Sequence, residues 1–144
     1  MNQSAALGWR EWVALPELNV DRIKVKVDTG ARTSAIHTYF TEVFYEGETK
    51  RVRFGLQPLQ NDTETQVVCT ADVVDERQVK DSGGHTQKRL VIQTPVIIGQ
   101  QQHNIEITLT QRNKMTFRML LGRTAIEGRY LVDPAASYLA GTPS

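Results

Sequence analysis

Short runs in which apolar and polar residues alternate dominate the chain: WREWVAL, RIKVKV, RVRFGL, TQVVCTADVV, RLVIQT, NIEITLT and FRMLL. Each is rich in β-branched or aromatic side chains, the mark of a strand with one face in a core. In RIKVKV, Ile23, Val25 and Val27 share one face while Lys24 and Lys26 take the other, because successive strand side chains point to opposite sides. Turn formers separate several runs: Glu46-Gly47, Asp81-Ser82-Gly83-Gly84 and Ile98-Gly99-Gln100. This spacing predicts an all-β barrel or sandwich and not a βαβ array. One short helix is predicted near the C-terminus, over Arg123 to Gly128, where RTAIEG closes on a glycine suited to capping. Asp133-Pro134 ends the last strand, and AGTPS reads as a frayed tail.

A length of 144 residues suits one domain, residues 1–144, with one core. Seventeen Lys and Arg against sixteen Asp and Glu leave a net charge of +1, which argues against a dedicated nucleic-acid binder. The basic stretches TKRVR and TQKRL have Glu46, Glu48 and Asp81 nearby and read as solvated hairpin faces. The start lacks an apolar signal core, no run is long and apolar enough to span a membrane, and Cys69 is the single cysteine. A cytoplasmic protein without membrane contact is the expectation. Cys69 falls mid-strand, where a thiol is usually a small buried hydrophobe and not a nucleophile. Ser34 sits in no G-x-S-x-G elbow and reads as a loop residue. His37, His85 and His103 show no ligand spacing, and neither H-E-x-x-H nor a phosphate-cradling G-x-x-x-x-G-K-[ST] occurs, so no metal and no cofactor is predicted.

The stretch VKVDTGARTSAIHT, residues 25–38, carries the chemistry. Asp28 emerges where a strand meets a turn, Gly30 offers backbone freedom, and the Thr29 hydroxyl is placed to bond nearby main chain. Far downstream, MLLGRTAI sets Met119 to Leu121 directly before Gly122, as a buried strand under a tight turn.

Together these stretches resemble the aspartic protease pattern, D-T-G-A braced by two hydrophobic residues and a glycine, here Leu120, Leu121 and Gly122. Over nearly the whole chain, WVALPEL, KVDTGARTSAIHT and MTFRMLLGRTAIEGRYLVDP resemble the bacterial and archaeal retropepsin-like family often labelled ATP-dependent zinc protease. The resemblance implies a retropepsin-like acid protease barrel, catalytic Asp28 supported by Thr29 and Gly30, and a functional link to ATP-grasp ligases that add glutamate. The zinc and ATP of that label find no motif in these residues.

Hydrolysis by this chemistry needs two carboxylates sharing one proton: one takes a proton from the attacking water, the other donates to the carbonyl oxygen. At about 3 Å and an effective dielectric near 20, two carboxylates repel by about 5–6 kcal/mol, so both do not ionise together. With a single D-T-G, and with Asp133 lacking the following Thr-Gly, a C2 homodimer is the economical source of the second acid. Where the retroviral pattern that the chain resembles commonly has an acid after D-T-G-A, this chain has Arg32, which removes the usual partner of Arg123. Arg32 and Arg123 are therefore substrate-binding candidates for a glutamate-rich peptide or tail; the alternative is that they pair with acids such as Glu127 or Asp133 and only hold the loops. Ser82-Gly83-Gly84 is the candidate tip of a covering hairpin. The alternative reading is a noncatalytic peptide-binding module of the same fold.

Overall fold

The computed structural model describes residues 5–80, 83–112 and 114–143. Among the described residues eleven strands run in chain order: β1 (Ala5–Leu7), β2 (Arg10–Leu15), β3 (Val20–Asp28), β4 (Ser34–Glu46), β5 (Thr49–Leu56), β6 (Val67–Asp72), β7 (Asp75–Lys80), β8 (Thr86–Ile98), β9 (Gln101–Thr110), β10 (Met119–Gly122) and β11 (Tyr130–Val132). An α-helical turn, α1 (Arg123–Ile126), follows β10 directly.

β10 pairs with β3 on one side and β4 on the other, so the path β10-β3-β2-β8-β9-β4 closes on itself as a barrel. Closure removes the unpaired edges that an open sheet would expose. β5 and β6 extend from the outer half of β4, and β7 pairs with the outer half of β8. β1 and β11 form a separate parallel pair.

The alternation of RIKVKV holds: Ile23 and Val25 are fully buried, while Lys24 and Lys26 face outward. Ile36, Phe54, Leu56, Ile92, Ile107, Met119 and Leu121 join them in one core. Each such side chain contributes about 1.5–3 kcal/mol by leaving water. Gly47 and Gly99 adopt positive φ in the hairpin turns β4–β5 and β8–β9, conformations that a Cβ would oppose.

Some expectations need correction. TQVVCTADVV is not one strand: the Val73 amide donates to Lys50 and the next, Val74, to Val91, so the chain turns a corner from the β5 side to the β8 side. Ser34 is not a loop residue but the buried first residue of β4. The helix stops at Ile126, because Glu127 leaves helical backbone geometry and Gly128 takes positive φ. The AGTPS tail is anchored at its first residue, Ala140, and not frayed there. Glu11, fully buried on β2, accepts amides from Gly8 at 2.6 Å, Leu139 at 2.9 Å and Ala140 at 3.0 Å.

Candidate active site

Asp28 is the last residue of β3, and the loop it opens is gripped from below by β10 and α1. Parallel pairing sets Leu121 beside Val27 and Gly122 beside Asp28. The Gly122 amide donates to Ser34 Oγ at 2.9 Å, and the Arg123 and Thr124 amides donate to the carbonyls of Ala31 at 2.8 Å and Arg32 at 3.0 Å. Arg123 Nη1 reaches the Thr29 carbonyl at 3.0 Å. Glycine is required at 122 for space: a Cβ there would stand 2.5 Å from the Thr33 carbonyl carbon and 2.7 Å from the Ser34 nitrogen.

Gly30 serves differently from expectation. Its φ is not positive, and its contribution is an amide that donates to Asp28 Oδ1 at 3.1 Å. A Cβ at this position would lie 3.3 Å from that same oxygen. The Thr29 hydroxyl makes no hydrogen bond among the described residues, so the turn is held by the Thr29 carbonyl and not by its side chain.

A cleft of about 670 Å³ opens between this loop and β7. Asp28, Gly30, Arg32 and Leu120 line one wall; Arg77, Val79 and Lys80 line the other. Among the described residues Asp28 is the only acid in the lining, whereas Arg32, Arg77, Lys80, Arg89 and Arg112 are cationic. The β7–β8 hairpin thus stands over Asp28. At its tip Gly83 and Gly84 are exposed, while Ser82 and Asp81 lie outside the described residues.

Of the residues singled out beforehand, the fold brings Asp28, Gly30 and Arg32 into one cleft and leaves Thr29 exposed beside it. Arg123 is exposed and spends a guanidinium N–H on the loop backbone, outside the cleft lining. Arg77, Lys80, Arg89 and Arg112 were missed. TQKRL reads as a solvated face in the sequence, yet Arg89 is 9% exposed and turned into the cleft. TKRVR is solvated as expected, with Arg51 paired to Glu46 and Asp72.

Arg112 is placed by a buried histidine. His37 Nδ1 accepts the Arg112 amide at 3.1 Å, which leaves the ring proton on Nε2 to donate to Gln57 Oε1 at 3.3 Å. Burial holds His37 below the ordinary histidine range; the Gln57 bond opposes this and the Arg118 charge adds to it. Cys69 is buried in β6, its Sγ donating to the Leu18 carbonyl, and burial pushes the thiol up to about 11. Such a thiol is not a nucleophile near neutrality. Among the described residues, no three His, Cys, Asp or Glu side chains gather as a metal site would require, and no helix is long and apolar enough to cross a membrane.

A family model described as the retropepsin-like aspartic endopeptidase RimB matches residues 6–143. The chain belongs to this RimB-like family. Its curated relatives carry another name. A "Probable alpha-L-glutamate ligase" of Desulfotalea psychrophila is 41% identical over 138 residues, 96% of this chain. Proteins of the same name from Parasynechococcus marenigrum and Shewanella pealeana are 39% and 42% identical over 98% and 94% of it. The RimB-like chain covers only 30% of the length of each. The crystal structure of Lpg0085, a protein with unknown function (DUF785) from Legionella pneumophila, superposes with a TM-score of 0.80 at 24% identity, over 96% of this chain and 99% of that one. At that identity the likeness speaks for the RimB-like fold alone.

Proposed function

We propose that the protein is a homodimeric aspartic endopeptidase that cleaves glutamate-rich peptides or tails. The observation that carries this is Asp28: among the described residues the one carboxylate in a cleft of cations, on a loop braced by β10 and α1. Its Oδ1 is held by the Gly30 amide, and Oδ2 has no partner among the described residues. A second Asp28 from a twin subunit would complete the acid pair at Oδ2, with exposed Thr29 and Gly30 of each loop at the junction. One carboxylate would then activate water while the protonated partner polarises the scissile carbonyl.

The substrate follows from charge. Among the described residues Arg32, Lys80 and Arg112 have no carboxylate partner, so the cleft offers unneutralised cations to an anionic peptide. Relatives named for glutamate ligation carry a RimB-like part within much longer chains, which supports a shared glutamate-containing polymer and a functional link to such ligases.

The deciding experiment incubates the pure protein with a glutamate-tailed peptide and an uncharged control, with and without chelator and ATP, and follows product masses. Faster cleavage of the acidic peptide, unaffected by either additive and abolished in Asp28→Asn, is the expected result. An Asp28→Asn variant that keeps cutting, or a protein that stays monomeric while active, overturns the dimeric acid pair. Binding without any cleavage would support a peptide-binding module instead.

A further inference from the structure

Of the five cations in the cleft, Arg77 differs from Arg32, Lys80 and Arg112 in having its guanidinium already committed inside the protein. Nε donates to Asp75 Oδ2 at 2.8 Å, on the same strand. Nη2 pairs with Glu106 Oε1 at 3.0 Å, on β9 in the barrel wall. Nη1 donates to Thr33 Oγ1 at 3.4 Å, in the loop that Asp28 opens and next to Arg32. One planar group therefore ties three separate segments together: the hairpin over the cleft, the barrel wall and the Asp28 loop.

We propose that Arg77 is a positioning residue that sets the β7–β8 hairpin against the Asp28 loop, a role that rests on the endopeptidase reading for its effect on turnover but not for its effect on the hairpin. Energy alone does not account for the arrangement. The Arg77, Asp75 and Glu106 side chains are 26%, 46% and 39% exposed, and ion pairs this accessible contribute about 1 kcal/mol or less. Geometry is what a three-way fork supplies. A guanidinium holds its N–H groups in one plane at fixed angles, whereas an ammonium on a flexible stem satisfies one acceptor at a time. Opposite Arg77 in the hairpin ladder stands Arg89, so the strap acts where both hairpin strands face the cleft.

The neighbouring charges sharpen the distinction. With Asp75 and Glu106 on either side, Arg77 presents little uncompensated charge to a ligand, whereas Arg32, Lys80 and Arg112 do. Loss of a substrate contact should erode the preference for acidic peptide. Loss of a positioning strap should slow acidic and uncharged peptides by the same factor and leave their ratio intact.

The test uses the full chain with Arg77→Lys, Arg77→Ala and Glu106→Gln, read in two ways. Amide hydrogen exchange is followed across residues 75–80 and 86–91, where all three variants should lose about three- to fivefold in protection while the barrel core keeps its own. Turnover should fall about ten- to a hundredfold, mainly in kcat, with the acidic-to-uncharged ratio unchanged. Arg77→Lys should not restore the parent behaviour. Parent-like hairpin exchange in both Arg77 variants overturns the proposal, as does a loss confined to acidic peptide. If the parent protein cleaves nothing, the endopeptidase reading fails by itself and the exchange measurement still decides whether Arg77 sets the hairpin.

Discussion

Gly122 and Ser34 meet across the base of the Asp28 loop: the Gly122 amide donates to Ser34 Oγ at 2.9 Å, and no side chain fits at 122 without striking the Thr33 and Ser34 backbone. Two substitutions separate bond from space. Ser34→Ala leaves a buried amide unpaired and should lower stability by about 1–3 kcal/mol. Gly122→Ala must push main chain aside at the point where β10 pairs with Asp28, and should cost at least a comparable amount, about 1–3 kcal/mol or more. Urea unfolding of the two variants checks the order. Parent-like unfolding of Gly122→Ala would mean the loop is not packed against β10 as described.

Glu11 makes a second long-range anchor. Its carboxylate is fully buried, with Oε2 shared by the Gly8 and Leu139 amides and Oε1 taken by Ala140. In Glu11→Gln one acceptor oxygen becomes an NH2 group that faces amide donors. A cost of about 2–3 kcal/mol is expected, with faster hydrogen exchange at Leu139 and Ala140. Unchanged exchange at these two amides would refute the anchor.

His37 gives stability a dependence on pH. Burial lowers its pKa in the folded chain, so the unfolded chain binds the proton more readily, and stability must fall as pH falls. The contribution is complete above the unfolded value of about 6.5 and is lost as pH drops through the lowered folded value. Protonation would also remove the acceptor for the Arg112 amide and set a cation near Arg118. His103 shifts in the same sense, through burial and the Arg129 charge, so the difference between parent and His37→Asn isolates the His37 part. Denaturant midpoints at several pH values should show a shallower slope in His37→Asn between about pH 7 and 5. Identical slopes would rule out His37 as the titrating group.

Much of the barrel was legible because strands such as β3 carry a stretch with a period of two, from Ile23 to Lys26, with Ile23 and Val25 inward and lysines outward. β4 was not. Its inner half, Ser34 to Thr38, buries Ser34, His37 and Thr38, and these polar groups find partners at Gly122, Arg112, Gln57 and Thr110, far away in sequence. No local pattern announces such pairings. The corner at Val73 and Val74 is hidden for a similar reason, since two successive valines continue the strand composition while their amides turn to different partners. For the site, Asp28 stands out at a strand end, but of the cleft cations only Arg32 stands out in the sequence. Arg89 follows three exposed polar residues, Thr86 to Lys88, and only the placement of β8 beside the cleft turns it inward.

Arg112 tests whether the cleft reads charge. It lines the cleft without a carboxylate partner among the described residues, and its backbone is pinned by His37, so its head group starts from a defined place. A charge-assisted contact to a glutamate side chain should contribute about 1.5–3 kcal/mol where water is largely excluded, and less at an exposed rim. Arg112→Ala should therefore reduce kcat/KM for the glutamate-tailed peptide by about tenfold, chiefly through KM, and by much less for the uncharged control. Salt provides the second arm. At about 0.1 M ionic strength the screening length is about 10 Å, and at 1 M about 3 Å, so added salt should shrink the parent's preference toward that of Arg112→Ala. A preference that survives both the substitution and the salt would have to come from shape, and the charge of this cleft would then have no part in choosing the peptide.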